Sequence, residues 1–349
     1  GALVHEQRDA ARALTKAPPP GPFSGVPFLL KDLGAEAKAF PTNQGSRLFE
    51  DFTAPTNAIA VERARAAGAV IVGIGNSPEF ACKGQTNSPL HGTARNPLDP
   101  NLTPGGSSGG NAAALAADFA PLALGTDGGG SGRRPPAHTG IVGLKPSFGA
   151  IPYGPGVPEP FWGIAVIAPM AKSVADVQLL FDVVAGVDAR DPETIAIESH
   201  TSTRPANQLR IAYSPRLGLN IPVDRNVADA VEHAVATLRR SGWNIMAEDP
   251  VWPAGLSEGD LMPLQMAGLA ALHGAAFQRD RDRFDPDIAG QIERGFAMTG
   301  AQVAQALEAE GIAYAIGGAL AYGQYGIPRA TNDVDVNVFV GPAELGTVF

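Results

Sequence analysis

Two glycine-serine loops stand close together in this sequence, at residues 103–111 (TPGGSSGGN) and 125–133 (GTDGGGSGR). Glycine serves where a backbone must take positive φ or come very close to a ligand. Loops this dense therefore require a scaffold that presents exposed backbone N–H groups beside hydroxyls. Ser131 follows Ser107 by 24 residues, with helix-like residues 111–117 and strand-like residues 121–124 between them. Upstream, Lys31 closes the apolar run of residues 26–31 (VPFLLK). A serine, a second serine and a lysine, set among free N–H groups, can hold a nucleophile, its base and an oxyanion hole.

Other motifs fail on context. Residues 105–109 satisfy G-x-S-x-G, but the proline-broken stretch 96–104 precedes them, whereas a nucleophile elbow must follow a strand. Neither loop matches G-x-G-x-x-G, and residues 140–145 lack P-loop spacing, so phosphate cradling is not indicated there. The six histidines (5, 91, 138, 200, 233 and 273) share no motif. A serine hydroxyl still needs a base. Lysine can serve when its pKa falls well below about 10, which burial achieves by disfavouring the charged form. The Val, Phe and Leu neighbours of Lys31 predict that burial.

These segments, with residues 140–147 (GIVGLKPS) and 168–176 (APMAKSVAD), form a long ordered series that resembles the amidase signature hydrolases. The resemblance implies a mixed central β-sheet flanked by helices and a serine–cis-serine–lysine triad. By motif, Ser131 corresponds to the nucleophile, Ser107 to the bridging serine in a cis peptide, and Lys31 to the base. The N–H groups of Gly128, Gly129, Gly130 and Ser131 correspond to the oxyanion hole. Asp127 and Arg133 would hold the loop, with Ser108 in a supporting structural role. The implied reaction is cleavage of a carboxamide C–N bond through an acyl-enzyme, with no cofactor and no metal. Gly132 stands where the family usually has isoleucine, which implies a looser loop after the nucleophile. Residues 73–79 are shorter than the family's passage and lack its lysine-threonine pair.

The resemblance runs to about residue 302, through residues 287–296 (DIAGQIERGF), and predicts an amidase signature domain over 1–302 without the family's usual C-terminal part. Residues 303–349 resemble instead the opening of a polymerase-β-type nucleotidyltransferase. There Gly317 and Gly318 would meet nucleotide phosphates, and Asp333 and Asp335 would be the alternative metal ligands. Two carboxylates at i, i+2 share one strand face. Three readings stay open: an amidohydrolase, an inactive amidase-like scaffold, and a Mg²⁺-dependent nucleotide-binding module.

Composition narrows the partners. The 349 residues are 44% hydrophobic and 17% charged, with net charge −9, which disfavours nucleic acid. No apolar run of about 18 residues exists for a membrane span, and no signal peptide is evident, so the expected compartment is cytoplasmic. The expected partner is a small-molecule amide, and a homodimer stays open. Cys82 is the single cysteine, which excludes an intramolecular disulfide. Its neighbours Glu79 and Lys83 are too close in sequence to converge on it from separate strands, so Cys82 reads as a core or lining residue. Asp32 reads as either a fold residue or a partner of Lys31. Phe161, Trp162 and the loop 153–160 suggest an apolar or aromatic acyl side.

Alternating periodicity predicts helices over residues 3–16, 57–67, 173–185 and 223–240, and strands over 26–31, 69–74, 209–213 and 243–247. Residues 188–207 read as a surface connection, and the apolar stripe of 223–240 predicts core packing.

Overall fold

The central strand is built from the lysine-terminated run, and every other element of the site is placed relative to it. A computed structural model describes residues 1–156, 158, 160–161, 163–196, 210–251, 261–309, 314–316 and 336–338. In chain order the elements are β1 (Leu3–Glu6), α1 (Arg8–Leu14), β2 (Pro27–Lys31), α2 (Ile59–Ala66), β3 (Val70–Gly75), β4 (Asn87–Ser88) and β5 (Gly92–Thr93). Then come α3 (Gly109–Ala116), β6 (Leu122–Asp127), α4 (Arg134–Thr139), β7 (Val142–Gly143), β8 (Val166–Ala171) and α5 (Val174–Val184). A second compact unit, Glu198–Glu258, carries β9 (Arg210–Tyr213), α6 (Arg225–Arg240) and β10 (Asn244–Ala247). The first unit resumes with α7 (Leu261–Arg279), α8 (Pro286–Phe296), α9 (Gly300–Ala309), β11 (Tyr314–Ile316) and β12 (Val336–Val338).

A six-stranded mixed sheet, ordered β1-β3-β2-β6-β8-β7, forms the centre of the first unit. β2 runs parallel to both β3 and β6, whereas β8 is antiparallel to β6. Strand side chains alternate between faces, and both faces are covered. Phe28 and Leu30 join Val61 and Ala64 of α2 and Val177, Leu180 and Val184 of α5. Leu29 joins Ala114 and Leu115 of α3 with Ala123 and Met170. Lys31, two residues after Leu29, thus belongs to the face that α3 covers. Each fully buried Leu, Phe or Val side chain here contributes about 1.5–3 kcal/mol. α5 starts where Ser173 accepts the Asp176 N–H at 3.1 Å, the expected cap.

Two expectations change. Residues 3–6 are not helical; they pair antiparallel with β3 and cover that strand's outer edge, and the helix begins only at Arg8. Pairing to an open edge outweighs a small helix propensity. In the second unit β9 and β10 pair in parallel. Val227, Val231 and Leu238 on α6 are exposed rather than in a core, because two four-residue strands offer the helix little surface. Gly317, Gly318, Asp333 and Asp335 lie outside the described residues, as do Trp162 and 197–207 of the connection. Among the described residues no helix is long and apolar enough to cross a membrane.

Candidate active site

β2 and β6 are adjacent and parallel, and their carboxyl ends bring Lys31, Thr126 and Asp127 together, where ligands collect in open α/β sheets. The glycine-rich lead-in to α3 crosses the same place. Lys31 Nζ donates to Ser107 Oγ at 2.7 Å and to Thr126 Oγ1 at 2.6 Å. Lys31 is 1% exposed and Ser107 fully buried. Burial pulls the Lys31 ammonium down from 10.5 to about 7, against the opposing pull of Asp127, Cys82 and Asp32. Thr126 carries no sequence signal of its own; only its place one residue before Asp127 could have marked it.

The loop around Ser107 is tightly stitched. The Gly106–Ser107 peptide is cis. Thr86 Oγ1 donates to the Gly105 carbonyl at 2.8 Å and accepts the Gly109 N–H at 3.1 Å. Ser108 Oγ donates to the Thr126 carbonyl at 3.3 Å and accepts its N–H at 3.4 Å, tying the start of α3 to β6.

Asp127 organises the second loop. Its Oδ1 accepts from Gly130 N–H at 2.7 Å and its Oδ2 from Gly132 N–H at 3.0 Å. Arg133 adds Nε to Oδ2 at 2.8 Å and Nη2 to Oδ1 at 3.0 Å. Burial alone would raise the Asp127 carboxyl, but Arg133 and the two N–H groups outweigh it and hold it below the usual range. Ser131 is 9% exposed, and its Oγ has no hydrogen-bond partner among the described residues. Lys31 and Ser107 are thus in contact, while Ser131 Oγ is bonded to neither.

The expected four-member oxyanion set needs one correction. The Gly130 N–H is already engaged by Asp127, and Gly130 sits at φ 105, which requires glycine. The N–H groups of Gly128, Gly129 and Ser131 have no acceptor among the described residues. Gly132 is dictated by space rather than being a loosening: a Cβ there would lie 2.4 Å from Ala168 Cβ.

Phe161 flanks this loop, since a Cβ on Gly128 would sit 3.4 Å from its ring. The ring belongs to a buried cluster with Phe80, Cys82, Leu269, Phe284 and Ile288. Within it Phe80 adopts positive φ, a conformation costly for a bulky residue, and stacks on His273 of α7 with centroids 3.9 Å apart. Cys82 is 6% exposed, and its Sγ meets the Phe80 carbonyl at 3.2 Å. Glu79 and Lys83 turn elsewhere. Glu79 accepts from Ser46 Oγ at 2.6 Å and from Asp285 N–H at 2.7 Å, and burial raises its carboxyl to about 7. Lys83 pairs with Asp285 at 2.5 Å, so both residues anchor the start of α8.

Asp32 shapes the fold behind the base. It accepts N–H groups of Asn43 at 2.6 Å and Gly45 at 2.9 Å, and burial raises it to about 7. His5 and His91, scattered in sequence, meet edge to face beside it, with His91 Nε2 3.8 Å from Asp32 Oδ2. No sequence pattern links residues 5, 32 and 91; the β1–β3 pairing brings them together.

The Amidase family profile matches residues 2–262. The chain belongs to the amidase signature family. Among its amidase relatives, a glutamyl-tRNA(Gln) amidotransferase subunit of Symbiobacterium thermophilum is 42% identical over 233 residues, covering 64% of this chain and 46% of that protein. An acylamidase of Rhodococcus erythropolis is 36% identical over 292 residues, covering 82% and 60% respectively. The chain thus spans about half the length of these curated relatives. Among solved structures, 6-aminohexanoate cyclic dimer hydrolase superposes with TM-score 0.75 at 28% identity, covering 88% of this chain and 67% of that one. A bacterial aryl acylamidase shares the fold with TM-score 0.78 at 24% identity, covering 88% and 68%. The mixed sheet flanked by helices is therefore the family's fold.

Proposed function

We propose that this amidase signature chain hydrolyses a carboxamide C–N bond through an acyl-enzyme on Ser131. The observation that carries the reading is the buried Lys31, hydrogen-bonded to Ser107 Oγ at 2.7 Å and drawn down to about 7 by desolvation. A lysine in that state is substantially neutral at physiological pH and has a lone pair to offer. Thr126 Oγ1 takes one of its N–H bonds, which leaves the lone pair for Ser107.

In the proposed cycle, Lys31 Nζ accepts the Ser107 proton as Ser107 Oγ accepts the Ser131 proton. Ser131 Oγ bonds to the amide carbon, and the carbonyl electron pair moves onto oxygen. The N–H groups of Gly128, Gly129 and Ser131 receive that oxyanion; losing one such donor costs about 10²–10³ in rate. When the tetrahedral adduct collapses, the C–N bond breaks and the proton returns through Ser107 to the leaving amine. Water then attacks the ester by the same relay, releasing the acid and restoring Ser131. Asp127 and Arg133 keep the loop in shape, and Phe161 offers an apolar wall for the acyl group. The acylamidase and the cyclic dimer hydrolase among its relatives support an amide substrate.

The test is peptide-mapped labelling by a fluorophosphonate. Stoichiometric modification of Ser131, abolished by Lys31→Ala, is the expected result. Folded protein that takes no label would sink the reading and leave an amidase-like scaffold.

A further inference from the structure

Two arginines follow the nucleophile, and they are differently placed. Arg133 has its guanidinium fork closed on both oxygens of Asp127. Arg134, half-buried, lies flat along the loop itself. Its Nη2 donates to the Gly129 carbonyl at 2.7 Å, and a Cβ on Gly130 would sit 3.2 Å from that nitrogen. Its Nη1 reaches over to Gly84, where a Cβ would lie 2.3 Å away. A guanidinium carries five N–H donors and no acceptor. One is engaged by Gly129, and Arg134 forms no ion pair among the described residues. The other neighbouring cation, Lys83, is neutralised by Asp285 at 2.5 Å and Asp287 at 3.6 Å. A chain of net charge −9 thus holds an uncompensated positive fork against the loop that bears its nucleophile.

Phe161 stands against Gly128, whereas Arg134 stands against Gly129 and Gly130, so the loop has an apolar flank and a cationic one. We infer that Arg134 determines specificity by binding a carboxylate carried on the leaving-amine side of the amide, opposite the acyl group that Phe161 seats. The substrate class is an N-acyl amino acid or a similar amide with an anionic amine portion. Guanidinium–carboxylate pairs are planar and often bidentate, which fixes orientation as well as adding attraction. This inference rests on the amidohydrolase reading above.

The experiment compares N-benzoylglycine with N-isobutylbenzamide, which share an acyl group and differ in the carboxylate. Each is used to protect Ser131 of the full chain from a neutral fluorophosphonate, and then as a substrate. Wild type is expected to favour the carboxylate about 10- to 100-fold in protection and in kcat/KM. In Arg134→Gln that ratio falls to about one, and Arg134→Lys restores part of it. A merely structural Arg134 would lower both compounds together and leave the ratio unchanged, which overturns the inference. Equal protection by the two compounds in wild type overturns it as well. Absence of any Ser131 labelling removes the amidohydrolase reading and this inference with it, a result distinct from labelling without discrimination.

Discussion

Asp127 and Arg133 meet through both carboxylate oxygens, at 2.8 and 3.0 Å, while the same oxygens also take the N–H groups of Gly132 and Gly130. Asp127→Ala removes all four acceptor contacts and leaves two N–H groups unpaired. Stability is expected to fall by about 2 kcal/mol in urea titration, and the rate of Ser131 labelling by about 100-fold. An unchanged labelling rate would separate this pair from the geometry of the loop.

Lys31 sets the pH dependence. Labelling and amide turnover should rise with pH through about 7 as the buried ammonium loses its proton. Lys31→Met should be slow and flat across that range.

The stability consequence has a definite sign. The folded pKa lies below the unfolded 10.5, so the unfolded chain holds the proton longer and wild-type stability rises between about pH 7 and 10.5. Lys31→Met should therefore exceed wild type in stability by about 2–4 kcal/mol at pH 6, with the gap closing toward pH 10. Urea midpoints at the two pH values decide it; a constant gap would contradict the buried charge.

His273 is 8% exposed, stacks on Phe80, and its Nε2 has no partner among the described residues. Desolvation lowers it from 6.5 to about 4. The unfolded chain then gains the proton first, so stability is complete above about 6.5 and declines as pH drops toward 4. His273→Phe keeps the stack and should remove up to about 3 kcal/mol of that decline. Equal acid sensitivity in the two proteins would place the effect elsewhere.

Gly132→Ala should cost about 1–3 kcal/mol, because the new Cβ collides with Ala168 on β8. Ala168→Gly opens the space, so the double variant should recover most of the loss. A double-mutant cycle with no coupling between the two positions would refute the contact.

The central strand, the flanking helices and both loops were legible because each carries a strong local signal: apolar periodicity, a serine cap, or glycines massed around a hydroxyl. Proximity of Lys31 to Ser107 was legible only through the family resemblance, since 76 residues separate them. Thr126, the His5–His91 pair and the Gly130–Asp127 bond were not, because each depends on register between strands or on which N–H a carboxylate reaches first. Residues 3–6 misled for a related reason. Their helical pattern continues that of α1, and only the free edge of β3, invisible in the local sequence, pulls them into the sheet.

Lys31, Ser107 and Thr126 sit in the sealed interior of the sheet, whereas Arg134 rides half-exposed on the first turn of a short helix and Phe161 on a loop. A lineage can therefore exchange the outer side chains without disturbing the proton path beneath them. Reaction chemistry is inherited as a block, and substrate choice is free to drift one residue at a time.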